Sequence, residues 1–353
     1  MRSSSNWVRT EWSSEAEVAG SSHTGGICRV CRRGREVCEQ LRGDGKGSRM
    51  GAQAMSGWPP PGRPTRSWMF VPGNKERFLV KAATSDVDCV FLDLEDGVPV
   101  AEKAAAREMV ANILGATWEG PLRFVRINSM DSPWWEEDLE AVVGSQMEGI
   151  CVPKVQQPSE IEALDRSLRR LEAVHSLPLE EVRVVAAIES AAGLLNASAI
   201  AATSSRMVGL IFGAEDYALD LGLGTNREGE ARELLYHRSA LVAAAAAARV
   251  LSIDGVFPNL DDPEGLSQDV LQARRLGFRG KSTFNPRQVE EINRVFTPTP
   301  DELTYATLVV EAFEAAKARG DGSVAIGGQL VDLPIVMRAR RLLEVAGGSL
   351  GGE

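Results

Sequence analysis

Histidine is nearly absent from this chain. Three occur in 353 residues, His23, His175 and His237. None ends a candidate strand and no His-x-x-x-His spacing exists, which argues against a zinc hydrolase. Long apolar runs are missing too: no stretch of about 18 apolar residues occurs, so no membrane-spanning helix is expected. Positive charge is in deficit. Lys plus Arg number 39 against 49 Asp plus Glu, a net −10, whereas a nucleic-acid surface needs clustered Lys and Arg. The Gly-x-Gly-x-x-Gly of a dinucleotide site does not follow the first strand. Gly280-Lys281-Ser282 resembles the end of a phosphate loop, but Arg275 stands where the earlier glycine belongs, and Gly222-x-Gly224 is followed by Arg227 where a third glycine would be needed.

Cysteine is sparse, five in all. Cys28-x-x-Cys31 could be half a zinc site, but no second pair follows at the required spacing. Cys89 and Cys151 lie in apolar runs and read as small core residues of a reducing compartment. Hydrophobic residues at 44% and charged residues at 25% are ordinary globular usage, which excludes a disordered or disulfide-scaffold protein.

The charge is uneven. Residues 1–60 hold nine basic and six acidic residues, 9 − 6 = +3, which leaves −13 on the rest. This segment is rich in Ser, Gly and Arg, lacks periodicity, and cannot bury enough apolar surface to offset its ordering entropy. Trp58-Pro59-Pro60-Pro61-Gly62 reads as a stiff linker. Residues 1–65 are therefore expected to be a disordered extension. Glu11, Glu15 and Glu17 argue against a mitochondrial presequence. The expected location is cytoplasmic, or mitochondrial if the extension is a transit peptide.

From residue 66, short β-branched runs alternate with amphipathic stretches. Eight strands are expected: 68–71, 89–94, 123–127, 149–153, 182–188, 207–212, 253–257 and 280–284. Helices are expected near 101–114, 158–175, 193–202, 230–250 and 265–276. Runs such as Val184-Val185-Ala186-Ala187-Ile188 are apolar throughout, as in parallel strands buried on both faces. Eight βα units over 66–297 match a (β/α)8 TIM barrel of typical size; a doubly wound open sheet is the alternative. Residues 298–346 are expected to form a C-terminal helical lid of two helices, 301–319 and 333–346, and 347–353 a tail.

In such a barrel, chemistry sits where the strands end. Those ends carry Asp93, Glu95 and Asp96; Arg126 and Asn128; Lys154; Glu189; and Asp216. Unpaired buried acids are costly, so charge recurring at successive strand ends points to a site. Glu189 and Asp216 end adjacent strands. Their hard oxygens suit Mg2+, which takes one or two carboxylates and completes its shell with water and substrate. Bland readings stand beside these: Arg126 as an ion pair to the Asp93 cluster, Lys154 as a solvated loop lysine, Asp332 as a helix N-cap before Leu333-Pro334.

Several segments, in order, resemble the citrate lyase beta-subunit-like family of CoA-ester lyases, which includes malyl-CoA and citramalyl-CoA lyases within the HpcH/HpaI aldolase superfamily. They are Arg66–Gly73, Phe91–Gly97, Val125–Asn128, Val152–Lys154, Ala187–Ser190, Gly213–Tyr217, Gly280–Ser282, Asn285–Gln288 and Val331–Pro334. The resemblance implies a Mg2+-dependent barrel acting on a carbon–carbon bond β to a CoA thioester, with acetyl-CoA and a 2-oxo acid on the cleaved side. It places metal ligands on Glu189 and Asp216, substrate binding on Arg126, Arg66 and Lys154, and a polar surround on Asp93, Glu95 and Asp96. It makes Asp332 a lid acid/base reaching a neighbouring subunit of a homotrimer or hexamer. No nucleic-acid or membrane partner is implied. Three alternatives stay open: a citrate lyase beta subunit acting on carrier-bound citryl thioester, a non-catalytic binder of CoA metabolites, and a class II pyruvate aldolase. The last characteristically uses a metal-bound His, and no candidate is present.

Overall fold

The computed structural model describes residues 58–60, 62–224 and 231–349. Cys28, Cys31, Cys38 and the 350–353 end of the expected tail lie outside them. Eight strands form a closed parallel barrel in sequence order: β1 (Ser67–Pro72), β2 (Cys89–Asp93), β3 (Leu122–Arg126), β4 (Gly149–Val152), β5 (Arg183–Ile188), β6 (Met207–Phe212), β7 (Leu251–Asp254) and β8 (Gly280–Thr283). The barrel closes where Ser67 and Trp68 pair with Lys281 and Ser282. This selects the barrel over the open sheet. The helices between the strands are α1 (Glu76–Ala82), α2 (Lys103–Gly115), α3 (Trp135–Val142), α4 (Pro158–Val174), α5 (Ala191–Ala202), α6 (Ala214–Asp220), α7 (Leu235–Ala248) and α8 (Pro263–Leu276). Helix α9 (Val289–Phe296) follows β8.

Local chemistry accounts for the helix ends. At α4, Pro158 occupies the first turn while Gln157 and Glu160 form a reciprocal capping box. Helix α8 starts on the Asp262 carboxylate and stops at Gly277, whose φ of +104° suits glycine. The expected helix over 230–250 is shortened: Ala231 is left-handed at φ +54°, and one 3-10 turn over Arg232–Leu234 precedes α7.

Strand alternation fills the barrel. Trp68, Phe70, Cys89, Phe91, Phe124, Cys151, Val185, Ala187 and Ile211 pack inward as one apolar cluster. Trp68 stacks on Phe91 at 5.1 Å and leans on Phe124 at 5.2 Å. Outward residues meet the helices in a second, larger core. A charge network is buried there as well: Asp254 accepts from Arg238 and Lys281, and Asp269 pairs with both cations. Two cations face two carboxylates, so no net charge is buried.

Two expectations at the chain's margins are corrected. Trp58, placed by sequence in the linker, is buried in the barrel interior, edge-on to Phe124 at 5.4 Å. Its indole needs a large apolar partner, which only the assembled barrel supplies. The C-terminal segment, read as two helices around glycines, also contains a hairpin. Helix α10 (Pro300–Ala318) is followed by β9 (Val324–Ile326) and β10 (Gln329–Val331), then α11 (Leu333–Ser349). Gly327 and Gly328 are both at positive φ, the two-residue mirror-image turn that matches strand twist. Helix α11 also runs through Gly347, past the expected boundary at 346. Val309, Val310, Phe313, Val331, Val336 and Leu343 give this segment a core of its own.

Removing the Trp58 indole should leave a cavity in the barrel. Trp58→Ala is expected to lower unfolding free energy by about 3 kcal/mol, read as a drop in the urea midpoint at unchanged slope. A midpoint equal to that of the parent chain would show the indole to be dispensable.

Candidate active site

Strand alternation stacks three charged residues above the aromatic interior. On β2, Cys89, Phe91 and Asp93 point inward in turn. On β3 the same role falls to Phe124 and Arg126, and on β5 to Val185, Ala187 and then Glu189 just past the strand. Asp93 and Arg126 are register partners on adjacent strands. Arg126 Nε donates to Asp93 Oδ1 and Nη2 to Oδ2, both at 2.7 Å. Nη1 lies 3.1 Å from Glu95 Oε2, and the guanidinium rests on the Phe70 ring, 4.5 Å from its centroid. Two of the five N–H groups thus donate hydrogen bonds, both to Asp93, and the Glu95 contact is an ion pair. Burial opposes the charge, but Asp93 and Glu95 hold Arg126 above arginine's ordinary value.

The turn after β2 is organised by the same carboxylate. Asp93 accepts from the backbone N–H of Glu95 at 2.9 Å and of Gly97 at 3.0 Å. A Cβ on Gly97 would fall 2.3 Å from Asp93 Oδ2. Glu95 then bridges Arg126 to Lys154, whose Nζ is 2.7 Å from Oε1 and 3.1 Å from Asp96. Lys154 is left-handed, at φ +56°, a conformation costly for a non-glycine residue. Burial works against its charge, yet Glu95 and Asp96 keep its ammonium above lysine's usual value. Lys154 is thus an ion-paired lysine, its side chain 37% exposed, and it does not line the cavity beside Glu189. The ion-pair reading of Arg126 holds, and the residue also lines the cavity.

Glu189 is 8% exposed, and its Oε2 is buried without a hydrogen-bond partner. Burial, reinforced by Glu95 and Asp216, pushes its carboxyl up to about 8. Asp216 lies in the first turn of α6 rather than at the strand end, and it lines the same cavity. Gly213, between them, is obligatory: a Cβ there would sit 2.3 Å from Glu189 Cγ. No group of three or more His, Cys, Asp or Glu side chains converges as a cage among the described residues. An orphaned buried carboxylate oxygen beside a second carboxylate nevertheless fits a divalent cation that keeps positions open for water and substrate.

The sequence pattern missed part of the lining of this cavity. Phe70, Val256, Ser282 and Phe284 also line it. The Phe70 and Phe284 rings meet at a tilt of 37°, 5.2 Å between centroids, and period-2 inward spacing on β1 and β8 is the signal that could have found them.

Three expected substrate-binding or catalytic residues do not line this cavity: Lys154, held by Glu95 and Asp96, and two that lie farther off. Arg66 precedes β1, at the end where the strands begin. It is fixed there by Asp88, with Nε to Oδ2 and Nη2 to Oδ1 at 2.8 Å, and by Thr297 at 2.7 Å. Its expected place beside substrate is corrected: one residue before a parallel strand is the far end of the barrel, and the carboxylate of Asp88 claims the guanidinium. Asp332 does not line the cavity of its own barrel. It caps α11, accepting from Ile335 N–H on both its carboxylate and its carbonyl.

Residues 66–286 match the family model for HpcH/HpaI aldolase/citrate lyase. The chain belongs to this family. It is 39% identical to the citrate lyase subunit beta of Leuconostoc mesenteroides subsp. cremoris over 282 residues, 80% of this chain and 93% of that one. It is 33% identical to the L-malyl-CoA/beta-methylmalyl-CoA lyase of Cereibacter sphaeroides, over 81% of this chain and 96% of the other. Its fold matches the crystal structure of protein CitE from Mycobacterium tuberculosis in complex with magnesium, acetoacetate and coenzyme A. The TM-score there is 0.66 at 29% identity, covering 81% of this chain and 99% of that one. The family's shared barrel thus agrees with the topology, and the lyase names of these relatives agree with a cavity built from carboxylates and one guanidinium.

The raised Glu189 carboxyl makes a pH prediction. Without metal, the folded chain holds a proton there between about 4.5 and about 8, where the unfolded chain has lost it. Stability must fall as pH rises through that window. Urea midpoints taken in chelator should decline from pH 5 to pH 8, by roughly the steps this linkage sets, and Glu189→Gln should flatten the decline. Equal slopes in both proteins would remove Glu189 as the source.

Proposed function

We propose that this member of a CoA-ester lyase family is a magnesium-dependent lyase that cleaves, or in reverse forms, a carbon–carbon bond in a 3-hydroxyacyl-CoA. Candidate substrates are (3S)-citramalyl-CoA, malyl-CoA and citryl-CoA, and the products are acetyl-CoA and a 2-oxo acid. The observation that carries the proposal is the buried, unpartnered Glu189 carboxylate beside Asp216, within one cavity with Arg126. The magnesium found in the M. tuberculosis relative supports the cation's identity.

Glu189 and Asp216 would hold the cation. When bound, it supplies Lewis-acid polarisation of the substrate's hydroxyl or oxo oxygen and carboxylate. The chain's own groups do the rest. The bond between the hydroxyl-bearing carbon and the thioester α-carbon breaks, and its electron pair stays on the α-carbon as an enolate. The hydroxyl proton leaves, and one proton is delivered to the α-carbon, so the sum is redox-neutral. Arg126 keeps N–H groups that Asp93 does not engage, and these can donate to the enolate oxygen. Asp93 and Glu95 fix that guanidinium in place. Asp332 is the candidate acid/base, brought to a neighbouring protomer's cavity by the C-terminal segment of a homotrimer or hexamer. Capping α11 and serving this role are compatible, because a cap residue at a helix start keeps a carboxylate oxygen outward.

The second reading is a citrate lyase beta subunit acting on a carrier-bound citryl thioester, which the identity to the Leuconostoc subunit favours. Activity on free CoA esters separates the two. The expected location remains cytoplasmic.

Glu189→Ala and Asp216→Ala should each abolish magnesium-dependent acetyl-CoA release from hydroxyacyl-CoA; full activity in either sinks the metal assignment. Asp332→Asn should be nearly inactive alone. Mixed and reassembled with Glu189→Ala, it should regain activity, since some cavities then combine an intact Glu189 with a neighbour's intact Asp332. No recovery on mixing would place Asp332's role within one protomer.

A further inference from the structure

Trp58 lies outside residues 66–286, the span that the family model matches, yet its indole is 8% exposed and packs inside the barrel. The segment that carries it is tied down. Arg63 N–H donates to the Pro60 carbonyl at 3.0 Å, and Arg63 Nη2 to the Gly120 carbonyl before β3 at 2.6 Å. The Trp58 indole N–H finds no hydrogen-bond acceptor among the described residues, whereas that of Trp68 donates to the Thr65 carbonyl at 2.9 Å. A buried donor left unsatisfied costs free energy, so the packing of the Trp58 ring must outweigh that cost.

What the ring packs against is one layer of the interior. Phe70, Phe91 and Phe124 are register partners on β1, β2 and β3. Trp58 is edge-on to Phe124 at 5.4 Å, Phe124 lies 6.1 Å from Phe91, and Phe91 lies 4.8 Å from Phe70. The Arg126 guanidinium rests over the Phe70 ring at the end of this row, 4.5 Å from its centroid. Its two bonds to Asp93 lie in the guanidinium plane, and Glu95 adds an ion pair at Nη1. In-plane bonds fix the direction in which a planar group points, but they resist rocking about that direction only weakly. The face of the Phe70 ring is what opposes the rocking.

We propose that Trp58 is a positioning residue for Arg126. It backs the layer Phe124–Phe91–Phe70, and that layer sets the tilt of the guanidinium and so the aim of the N–H groups that Asp93 does not engage. Interiors packed at crystal density transmit strain. Removing the indole gives Phe124 room to turn, Phe91 and Phe70 follow, and the guanidinium rocks. The consequence for turnover rests on the lyase reading of the barrel mouth; the consequence for the guanidinium does not.

Both are read in the full chain, at a temperature where the far-UV circular dichroism of each variant equals the parent's. In protein carrying isotope-labelled arginine, the Arg126 Nε–H resonance is assigned by its loss in Arg126→Lys. The current of an aromatic ring displaces a nearby proton resonance by an amount that depends on where the ring stands. Trp58→Ala should therefore shift the Arg126 resonance, and Trp58→Phe, which returns an aromatic edge to Phe124, should restore it. The Arg206 Nε–H, paired with Asp165 away from the ring layer, should stay in place in both. An unmoved Arg126 resonance in Trp58→Ala overturns the inference, and so does an equal movement of Arg206, the mark of general loosening. With magnesium and a hydroxyacyl-CoA, kcat for acetyl-CoA release should fall roughly tenfold in Trp58→Ala, with KM held within about twofold, and recover in Trp58→Phe. In Phe70→Leu, which removes the last ring of the row, adding Trp58→Ala should lower kcat no further. An unchanged kcat in Trp58→Ala, or losses that multiply in the double variant, overturns the inference. A parent chain that releases no acetyl-CoA counts against the lyase reading alone, and the resonance shift then decides the role of Trp58.

Discussion

The bidentate pair between Asp93 and Arg126 is the constraint on which the barrel mouth depends. Each charge alone at this depth would cost several kcal/mol in lost hydration. Register places them on neighbouring strands, so the fold itself brings two planar groups edge to edge at 2.7 Å. From that pair the site propagates outward. Asp93 also ties down the turn carrying Glu95 and Asp96, Glu95 reaches Lys154, and Lys154 is held in a backbone conformation it would not otherwise adopt. The ends of three successive strands, β2, β3 and β4, are therefore joined by one chain of opposite charges. What remains unbalanced is Glu189, and that imbalance is what a dication would correct.

The barrel interior and the C-terminal segment are held differently. The aromatic stack beneath the site, from Trp58 through Phe124 and Phe91 to Phe70, has little freedom, because close-packed rings leave few alternative rotamers. It supports Arg126 from below through the Phe70 ring. Gly213 lets Glu189 lie flat against the β6 end, so the carboxylate's position is dictated by absence of a side chain as much as by any bond. The C-terminal segment is a different kind of unit. Its apolar residues pack on one another, and Arg274 with Glu302 ties it to α8.

Much of the barrel was legible before any coordinates. Buried parallel strands leave continuous apolar runs, and charges at their ends stand out against them, so Asp93, Arg126, Glu189 and Asp216 could be named together. Where the reading failed, the reason was local. Arg66 sits in a run of residues shared with the family, but a side chain one position before a strand belongs to the opposite mouth from one just after it. Trp58 lies among prolines and looks like linker until Phe124, 66 positions away, comes to meet it. The Gly327-Gly328 hairpin is too short for alternation to show.

By itself, the sequence determined how many βα units there are and which side chains carry charge at the strand ends, since apolar runs and helical periods are properties of a local stretch. Tertiary structure alone decided the partners. Arg66 meets Thr297 across 231 positions, Arg126 chooses Asp93 and Glu95, and Glu189 is left with an oxygen that none of the described residues satisfies by a hydrogen bond. Closing the barrel sets those distances, and pairing energies of buried charges depend on distance and desolvation rather than on the order of residues.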